Sequence, residues 1–208
     1  MLAYVIDHPD HYSFVEANKI MAPQKWAAHG EEQWHRTKEV IERMGSVPCP
    51  LTMDKMRGTS NNITGDHVSL SFGKFWRGLL AGYSAIRFHR PVPGSLGLDK
   101  NAQNCISAAR ELEQRVRIWD LEPRLALIVD RHEDSAYLLT GPDGTVVLYF
   151  PDGGRVRLDP SVLGDRRTVR WLNIREGVWA MQDATGDGPV DTVSAPDAGH
   201  WVAVITNE

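Results

Sequence analysis

The sequence predicts an α/β region over residues 1–119 and an all-β region over residues 120–208. In the first region, short apolar segments alternate with segments of helical periodicity, a pattern typical of β-α units and a parallel sheet. In the second region, short strand-like segments follow one another between glycine-containing turns, which favours a compact β-sandwich. The change of pattern near residue 120 gives the expected domain boundary.

Three β-α units account for the first region. The strands are expected at Tyr12–Ala17, Val47–Met53 and Ser84–Phe88. The helices are expected at Glu31–Met44, Leu70–Gly82 and Asp99–Arg117. Apolar residues recur at helical spacing in these helices, and glycine ends the first two. A polar loop is expected from Asp54 to Ser69, between the second strand and the second helix.

These three units form a sheet that is incomplete by itself. We expect the strands to lie parallel in sequence order, with both edge strands open and one face uncovered. A (β/α)8 barrel takes eight such units and about 250 residues. The first region therefore has the properties of the last part of a larger domain. Self-association, or a partner that supplies the other units, is the expected consequence.

The second region is expected to contain eight short strands. They are Leu125–Val129, Ala136–Leu139, Thr145–Phe150, Arg155–Leu158, Thr168–Ile174, Val178–Gln182, Val190–Ser194 and Trp201–Thr206. Turns are expected at residues 141–144, 152–154, 176–177, 186–188 and 197–199, each of which contains glycine. Alternation of charged and apolar residues, as in Arg155 to Leu158, predicts strands with one buried face.

The overall composition limits the class of partner. The chain has 208 residues, of which 42% are hydrophobic and 24% charged, as in ordinary globular proteins. A net charge of −4 argues against nucleic acid or an anionic membrane as a partner. The sequence predicts neither a transmembrane helix nor a signal peptide. Cys49 and Cys105 are expected to be buried thiols without metal-ligand spacing.

Polar residues end the third expected strand. His89 and Arg90 follow its apolar segment directly, and the chain then turns at Pro91. Ligands bind at the carboxyl ends of strands in α/β folds, because the loops there vary while the sheet stays rigid. His89 and Arg90 are therefore candidate ligand-binding residues. The alternative is that they cap the sheet and pair with a neighbouring carboxylate.

Four blocks of the chain resemble a known family. They are YSFVEANKI (12–20), PLTMDKMRG (50–58), FWRGLLAGYSAIRFHRP (75–91) with the following GLGL residues, and YFPDGGRVRLD, VRWLNIREGVW and APDAGHWVAVI in the second region. The blocks resemble the apiosidase-like (β/α)8-barrel glycoside hydrolases, which carry a C-terminal β-sandwich labelled a collagen-binding domain of a collagenase. The resemblance implies a partial (β/α)8 barrel, units six to eight, followed by the sandwich.

The resemblance also implies hydrolysis of a glycosidic bond by two carboxylates. In such barrels one carboxylate follows strand four, which has no counterpart in this sequence. The other follows strand seven, where Asp54 stands in place of a polar pair such as Asn-Glu. Asp54 is therefore a candidate nucleophile, although aspartate is shorter than glutamate. The alternative is a residue that caps the start of a loop.

Glu16 is the second candidate carboxylate. Alternation along its strand places it on the face opposite Val15, so it would point into a barrel interior near the upper rim. An inward glutamate is costly unless it is paired, and Arg87, Arg90 and Lys55 are candidate partners. A structural ion pair is the alternative to a catalytic role.

The remaining polar residues at this end are candidate substrate contacts. His89 and Arg90 would orient sugar hydroxyls or hold a carboxylate. Lys55 is one such candidate. Arg57, Asn61 and Asn62 are expected on the loop after the second strand and would contact substrate, and a solvated loop is the alternative. No cofactor motif is present. No metal site is predicted, since the pair His8 and His11 lacks further ligands.

Three functions fit these patterns. The preferred one is the C-terminal part of a glycoside hydrolase that acts on a polysaccharide and is inactive alone, because the acid/base carboxylate lies in the missing units. The second is a non-catalytic carbohydrate- or matrix-binding module built on the sandwich. The third is a complete small enzyme with Glu16, Asp54 and His89. Seven tryptophans are present, and one or two exposed ones would suit stacking on sugar rings.

Overall fold

The computed structural model of the chain describes residues 8, 15–16, 30–45, 50–57, 67–89, 97–163, 166–180, 184–187 and 191–207. The chain forms two compact units, Met1–Ala102 and Gln103–Glu208. Their division lies inside a helix, earlier than residue 120, and the domain boundary at residue 120 stays a prediction. No helix among the described residues is long and apolar enough to span a bilayer.

The described part of the first unit consists of strands that alternate with helices. In chain order these are β1 (Val15–Glu16), α1 (Gly30–Met44), β2 (Leu51–Arg57), α2 (His67–Ala81), β3 (Ala85–His89) and α3 (Lys100–Glu113), which continues into the second unit. β2 lies between β1 and β3, and both pairs are parallel. The expected order and direction of the strands are confirmed. The expected strand residues 12–14, 17 and 47–49 lie outside the described residues.

β2 is longer than the sequence predicted. The prediction of a loop from Asp54 onward is wrong, since β2 continues through Asp54 to Arg57. The strand persists because Met56 and Arg57 pair with Phe88 and His89 of β3. Arg57 is therefore the last residue of a strand and not a loop residue.

Glycine ends the first two helices, as the sequence predicted. Gly45 and Gly82 have φ angles of +56° and +114°, which L side chains rarely adopt. At the end of α2, the Gly82 amide donates to the Leu79 carbonyl (3.1 Å) and the Tyr83 amide donates to the Gly78 carbonyl (3.0 Å). These two bonds form a Schellman motif, which ends α2 and leads the chain into β3.

Tyr83 fixes the packing of α2 against α1. Its side chain is 4% exposed, and its hydroxyl lies 3.0 Å from the Thr37 hydroxyl of α1. Gly78 makes room for it, because a Cβ at that position would lie 2.5 Å from the Tyr83 ring. Burial raises the pKa of Tyr83, so the phenol keeps its proton at neutral pH.

The second unit is built mainly from antiparallel strands. They are β4 (Glu122–Pro123), β5 (Tyr137–Thr140), β6 (Val146–Phe150), β7 (Arg155–Arg157), β8 (Arg166–Asn173), β9 (Val178–Trp179), β10 (Ala184–Asp187), β11 (Thr192–Ser194) and β12 (Trp201–Asn207). A seven-stranded sheet has the order β10-β8-β12-β6-β5-β4, with β9 paired to β8, and β11 and β7 form a two-stranded sheet.

Both sheets contribute to one hydrophobic core. Leu148 and Trp171 of the larger sheet belong to the same buried cluster as Val156 and Val193 of the smaller sheet. Arg155 and Arg157 are exposed around the buried Val156, so the predicted alternation is confirmed for β7. In β6 all five residues are buried, which shows that both faces of the larger sheet are covered at its centre.

Two expectations for the second unit are wrong. Leu125–Leu127 forms a 3-10 turn instead of a strand, because the Leu127 and Ile128 amides donate to carbonyls three residues back. Gly186 does not begin a turn, since it lies in β10, which pairs with the first half of β8. The other expected strands are present among the described residues, with ends shifted by a few residues. The expected strand residues 181–182 and 190 lie outside the described part of the chain.

Helix α3 packs on the β8–β9 turn within the second unit. The Trp179 indole nitrogen donates to a Glu111 carboxylate oxygen (3.2 Å), and the Arg115 guanidinium lies 4.6 Å from the centre of the Trp179 ring. The Asn104 side-chain amide donates to the Arg175 carbonyl. The helix is therefore attached to the antiparallel sheet from its first turns to its last.

Candidate functional site

Two of the parallel strands of the first unit, β2 and β3, end side by side at one edge of their sheet. Their last residues, Arg57 and His89, are paired. Glu16 of β1 is paired with Thr52, which is paired with Ala85, so it is level with the start of β3. Polar positions on β2 and β3 therefore meet at the carboxyl edge, where α/β folds bind ligands.

One face of this sheet packs on helix α2. Paired positions in neighbouring strands, and positions two apart within a strand, belong to the same face. Leu51, Ile86 and Phe88 belong to one face by this rule. Leu51 is 3% exposed and Phe88 is 8% exposed, and the Phe88 ring stacks on Phe75 of α2 with ring centres 5.4 Å apart.

The opposite face carries the polar positions. Thr52, Ala85 and Arg87 belong to it by the same register. Ala85 and Arg87 are exposed and Thr52 is half-buried. The pairing also assigns the positions of Glu16 and His89 to this face. A parallel sheet normally has cover on both faces, so an exposed polar face at the carboxyl edge is the strongest candidate site in the first unit.

A β-bulge interrupts β2 at the candidate nucleophile. Met53 pairs with Ile86 and Met56 pairs with Phe88, so β2 uses one residue more than β3 between these pairs. The extra residue lies at Asp54 or Lys55. Bulges of this kind redirect side chains and are frequent beside active sites.

The structure describes the backbone positions of five of the six predicted site residues. Asp54, Lys55 and Arg57 lie in the carboxyl half of β2 and His89 ends the neighbouring β3, whereas Glu16 of β1 is level with the start of β3. Arg90 lies outside the described residues, as do Asn61 and Asn62. The catalytic and substrate-binding roles stay predictions.

The structure also identifies a buried carboxylate that the sequence analysis did not single out. Glu31, in the first turn of α1, is 9% exposed, and its carboxylate lies 3.1 Å from His35 Nε2. Acidic residues are common at helix N-termini, where the helix dipole stabilises them, so the position of Glu31 in the sequence did not mark it as a candidate. Only its burial in the folded structure distinguishes it.

The described residues contain no group of three or more His, Cys, Asp or Glu side chains that could hold a metal ion. Cys105 is a buried thiol, as predicted, whereas Cys49 lies outside the described part of the chain. The residues at the carboxyl edge are instead carboxylates and hydrogen-bond donors, which suit a polar organic ligand.

Comparison with known proteins gives structural similarity only. No family model matches the chain, and no curated protein matches it. A glycoside hydrolase of family 5 from Bacteroides vulgatus is 13% identical with a TM-score of 0.66, over 85% of this chain and 45% of that one. A second glycoside hydrolase is 13% identical with a TM-score of 0.60, over 93% of this chain and 51% of that one.

An α-amylase from Geobacillus thermoleovorans, complexed with acarbose, is 11% identical with a TM-score of 0.50, over 86% of this chain and 43% of that one. The chain therefore has a glycoside hydrolase-like fold and spans about half the length of these structures.

Proposed function

We propose that the first unit is part of the (β/α)8 barrel of a glycoside hydrolase, and that the chain acts on a polysaccharide together with further β-α units. One observation carries the proposal. The sheet of the first unit packs on α2 with one face, and the positions on its other face include the exposed Arg87 and the half-buried Thr52. In a closed barrel the face opposite the helices is the interior, whose carboxyl end holds the active site.

The backbone positions of Glu16 and Asp54 are compatible with a pair of catalytic carboxylates. Glu16 is level with Thr52 on the neighbouring strand, and Asp54 is two residues further along. Positions related in this way have Cα atoms about 8 Å apart. Side chains that start from this spacing can span the roughly 5 to 9.5 Å between the carboxyl groups of glycosidases.

The roles follow from the resemblance and from position. Asp54 would act as the ionised carboxylate that attacks or stabilises the oxocarbenium-like centre. The general acid would come from a β-α unit beyond the three in this chain, with Glu16 as the alternative within it. His89, Arg90, Lys55 and Arg57 would bind sugar hydroxyls or hold the carboxylates ionised.

Aryl glycosides of several sugars test this proposal. The 208-residue chain alone is expected to show no turnover, because the proposal places the general acid on a β-α unit beyond the three described here. A complex with a polypeptide that supplies barrel units one to five of a resembling hydrolase is expected to be active. In that complex, Asp54→Asn should lower kcat by about 100-fold or more, the usual scale for a catalytic carboxylate.

Asp143→Asn is the matched control, since Asp143 is an exposed turn residue of the second unit. It should leave turnover unchanged. If the chain alone is active and Asp54→Asn or Glu16→Gln abolishes that activity, the chain is a complete enzyme and the proposal of a missing acid is wrong. If Asp54→Asn leaves an active complex unchanged, the site assignment is wrong.

A carbohydrate-binding role of the second unit is the alternative function. It is favoured by one feature, an exposed tryptophan beside the first strand of that unit. This role does not need the carboxyl edge of the parallel sheet.

A further inference from the structure

Trp119 is exceptional among the tryptophans that the structure describes. It is 66% exposed, whereas Trp34, Trp76, Trp171 and Trp201 are at most 7% exposed. An indole is among the largest apolar groups in proteins, and its burial would stabilise the fold. Trp119 contributes little to the hydrophobic core, and most of its ring is accessible to a ligand.

An ion pair and a cation–π contact lie beside the Trp119 ring. Trp119 lies in the 3-10 turn Ile118–Asp120. The ends of this turn are joined by an ion pair between Arg117 Nε and an Asp120 carboxylate oxygen, 2.9 Å apart. The guanidinium carbon of Arg117 lies 5.8 Å from the centre of the Trp119 ring, within the range of a cation–π contact. The ion pair and the ring contact together restrict the rotation of the indole.

The turn is anchored to the seven-stranded sheet. Directly after it, β4 pairs with β5 through Glu122 and Thr140, and the Arg124 amide donates to the Leu138 carbonyl (2.9 Å). Leu138 is fully buried. The Trp119 platform therefore rests on a rigid element, and a ligand bound there would lose little free energy to ordering the protein.

We propose that Trp119, Arg117 and Asp120 form a binding platform for a neutral pyranose unit of a polysaccharide chain. The axial C–H bonds on one face of a pyranose carry slight positive charge and pack on the negative face of an aromatic ring. The guanidinium contacts one face of the indole, so the sugar stacks on the other. Arg117 uses Nε in its ion pair, and its terminal nitrogens can donate to sugar hydroxyls while Asp120 accepts from them.

The choice of a sugar as the ligand rests on the proposed function. The net charge of the platform agrees with a neutral ligand. The ion pair makes the cluster neutral overall, which disfavours the phosphates of a nucleic acid. The platform would hold a polysaccharide without cleaving it, and it does not depend on the carboxylates of the first unit.

Native affinity electrophoresis of the full chain tests the platform. The gels contain soluble amylopectin, hydroxyethylcellulose, xylan or galactomannan. At least one of them is expected to retard the chain, and Trp119→Ala should weaken the apparent affinity at least tenfold. Trp119→Phe should retain part of the affinity, because a smaller aromatic face remains. Val129→Ala is the matched control, since Val129 is an exposed apolar residue (51%) of the same unit, and it should change nothing.

The variants Asp54→Asn and Glu16→Gln separate the two proposals. Both should keep the retardation of the unmodified chain, even if they abolish turnover in a completed barrel. The platform is refuted if none of the four polysaccharides retards the chain, or if Trp119→Ala is retarded as strongly as the unmodified chain. Loss of retardation in Asp54→Asn but not in Trp119→Ala would place the binding at the carboxyl edge of the first unit instead.

Discussion

Substitution of Gly177 by alanine is the sharpest test of how α3 packs in the second unit. Gly177 lies in the β8–β9 turn with a φ of +72°. A Cβ at this position would lie 3.1 Å from the Ser107 Cβ and 3.3 Å from the Asn104 carbonyl oxygen, both on α3. The substitution therefore strains the backbone and also pushes against the helix.

The two costs can be separated with a second glycine. Gly154 also has a positive φ, +93°, but a Cβ there would meet nothing within 4 Å. Gly154→Ala should cost roughly 1–2 kcal/mol, the penalty of the left-handed conformation. Gly177→Ala should cost roughly 1–3 kcal/mol more, the usual penalty of overpacking.

Urea unfolding of the full chain, followed by circular dichroism and tryptophan fluorescence, measures the difference. With a typical slope of about 2 kcal/mol/M, an extra 2 kcal/mol lowers the unfolding midpoint by about 1 M relative to Gly154→Ala. Adding Ser107→Gly to the Gly177→Ala variant removes the Cβ that the new methyl group would meet, and it should recover part of this loss. Equal midpoints for the two alanine variants would refute the packing of α3 on the β8–β9 turn.

Two further predictions concern the stability of each unit. The sequence predicts that residues 120–208 fold alone, and the contacts of α3 predict that a fragment of residues 97–208 unfolds cooperatively at a higher urea concentration. Lys74 is half-buried, and burial lowers its pKa, so its charge destabilises the folded chain at pH 7. Lys74→Met should raise the urea midpoint at pH 7, with a smaller gain as the pH rises through the lowered pKa and Lys74 loses its proton in the folded state.

Each of these predictions has a clear opposing result. Equal urea midpoints for the two fragments would mean that α3 adds nothing to the second unit, and an aggregated 120–208 fragment would mean that α3 is essential to it. A gain from Lys74→Met that is the same at pH 7 and pH 10 would come from packing and not from the charge. Lys38→Met, on the half-exposed side of α1, is the matched control and should show neither effect.

The helices and most strands could be predicted because their signals are local. Gly45 and Gly82 end helices by a conformation that glycine adopts most readily, and this information is contained in the sequence itself. The segment Leu125–Val129 was misassigned because its apolar run fits a strand and a 3-10 turn equally well. In the structure, backbone hydrogen bonds to the Arg124 and Leu125 carbonyls form the 3-10 turn. β10 was missed because its glycine suggested a turn, whereas its pairing with β8 is a long-range contact.

The candidate site was predicted in part. That polar residues meet at the carboxyl ends of parallel strands follows from the β-α pattern, and the structure agrees for the backbones of Arg57 and His89. Glu16 instead is level with the start of β3. The exposure of Trp119 could not be predicted, because it depends on which surfaces the finished fold leaves open. The burial of Glu31 depends on tertiary packing in the same way.

The bulge in β2 explains why the sequence around Asp54 looked like a loop. Met53 and Met56 are three residues apart, which breaks the alternation expected of a strand. Regular pairing after Met53 would place Lys55 opposite Phe88, on the face that packs on α2, and would place Met56 beside His89. The extra residue reverses this arrangement, so that Met56 pairs with Phe88 and Arg57 pairs with His89. The bulge therefore keeps the position of Met56 on the helix-packed face. It also brings the position of Arg57 level with His89 on the polar face. The bulge thus has a structural reason in the packing of β2 and β3 on α2, and it also lies at the candidate residue Asp54.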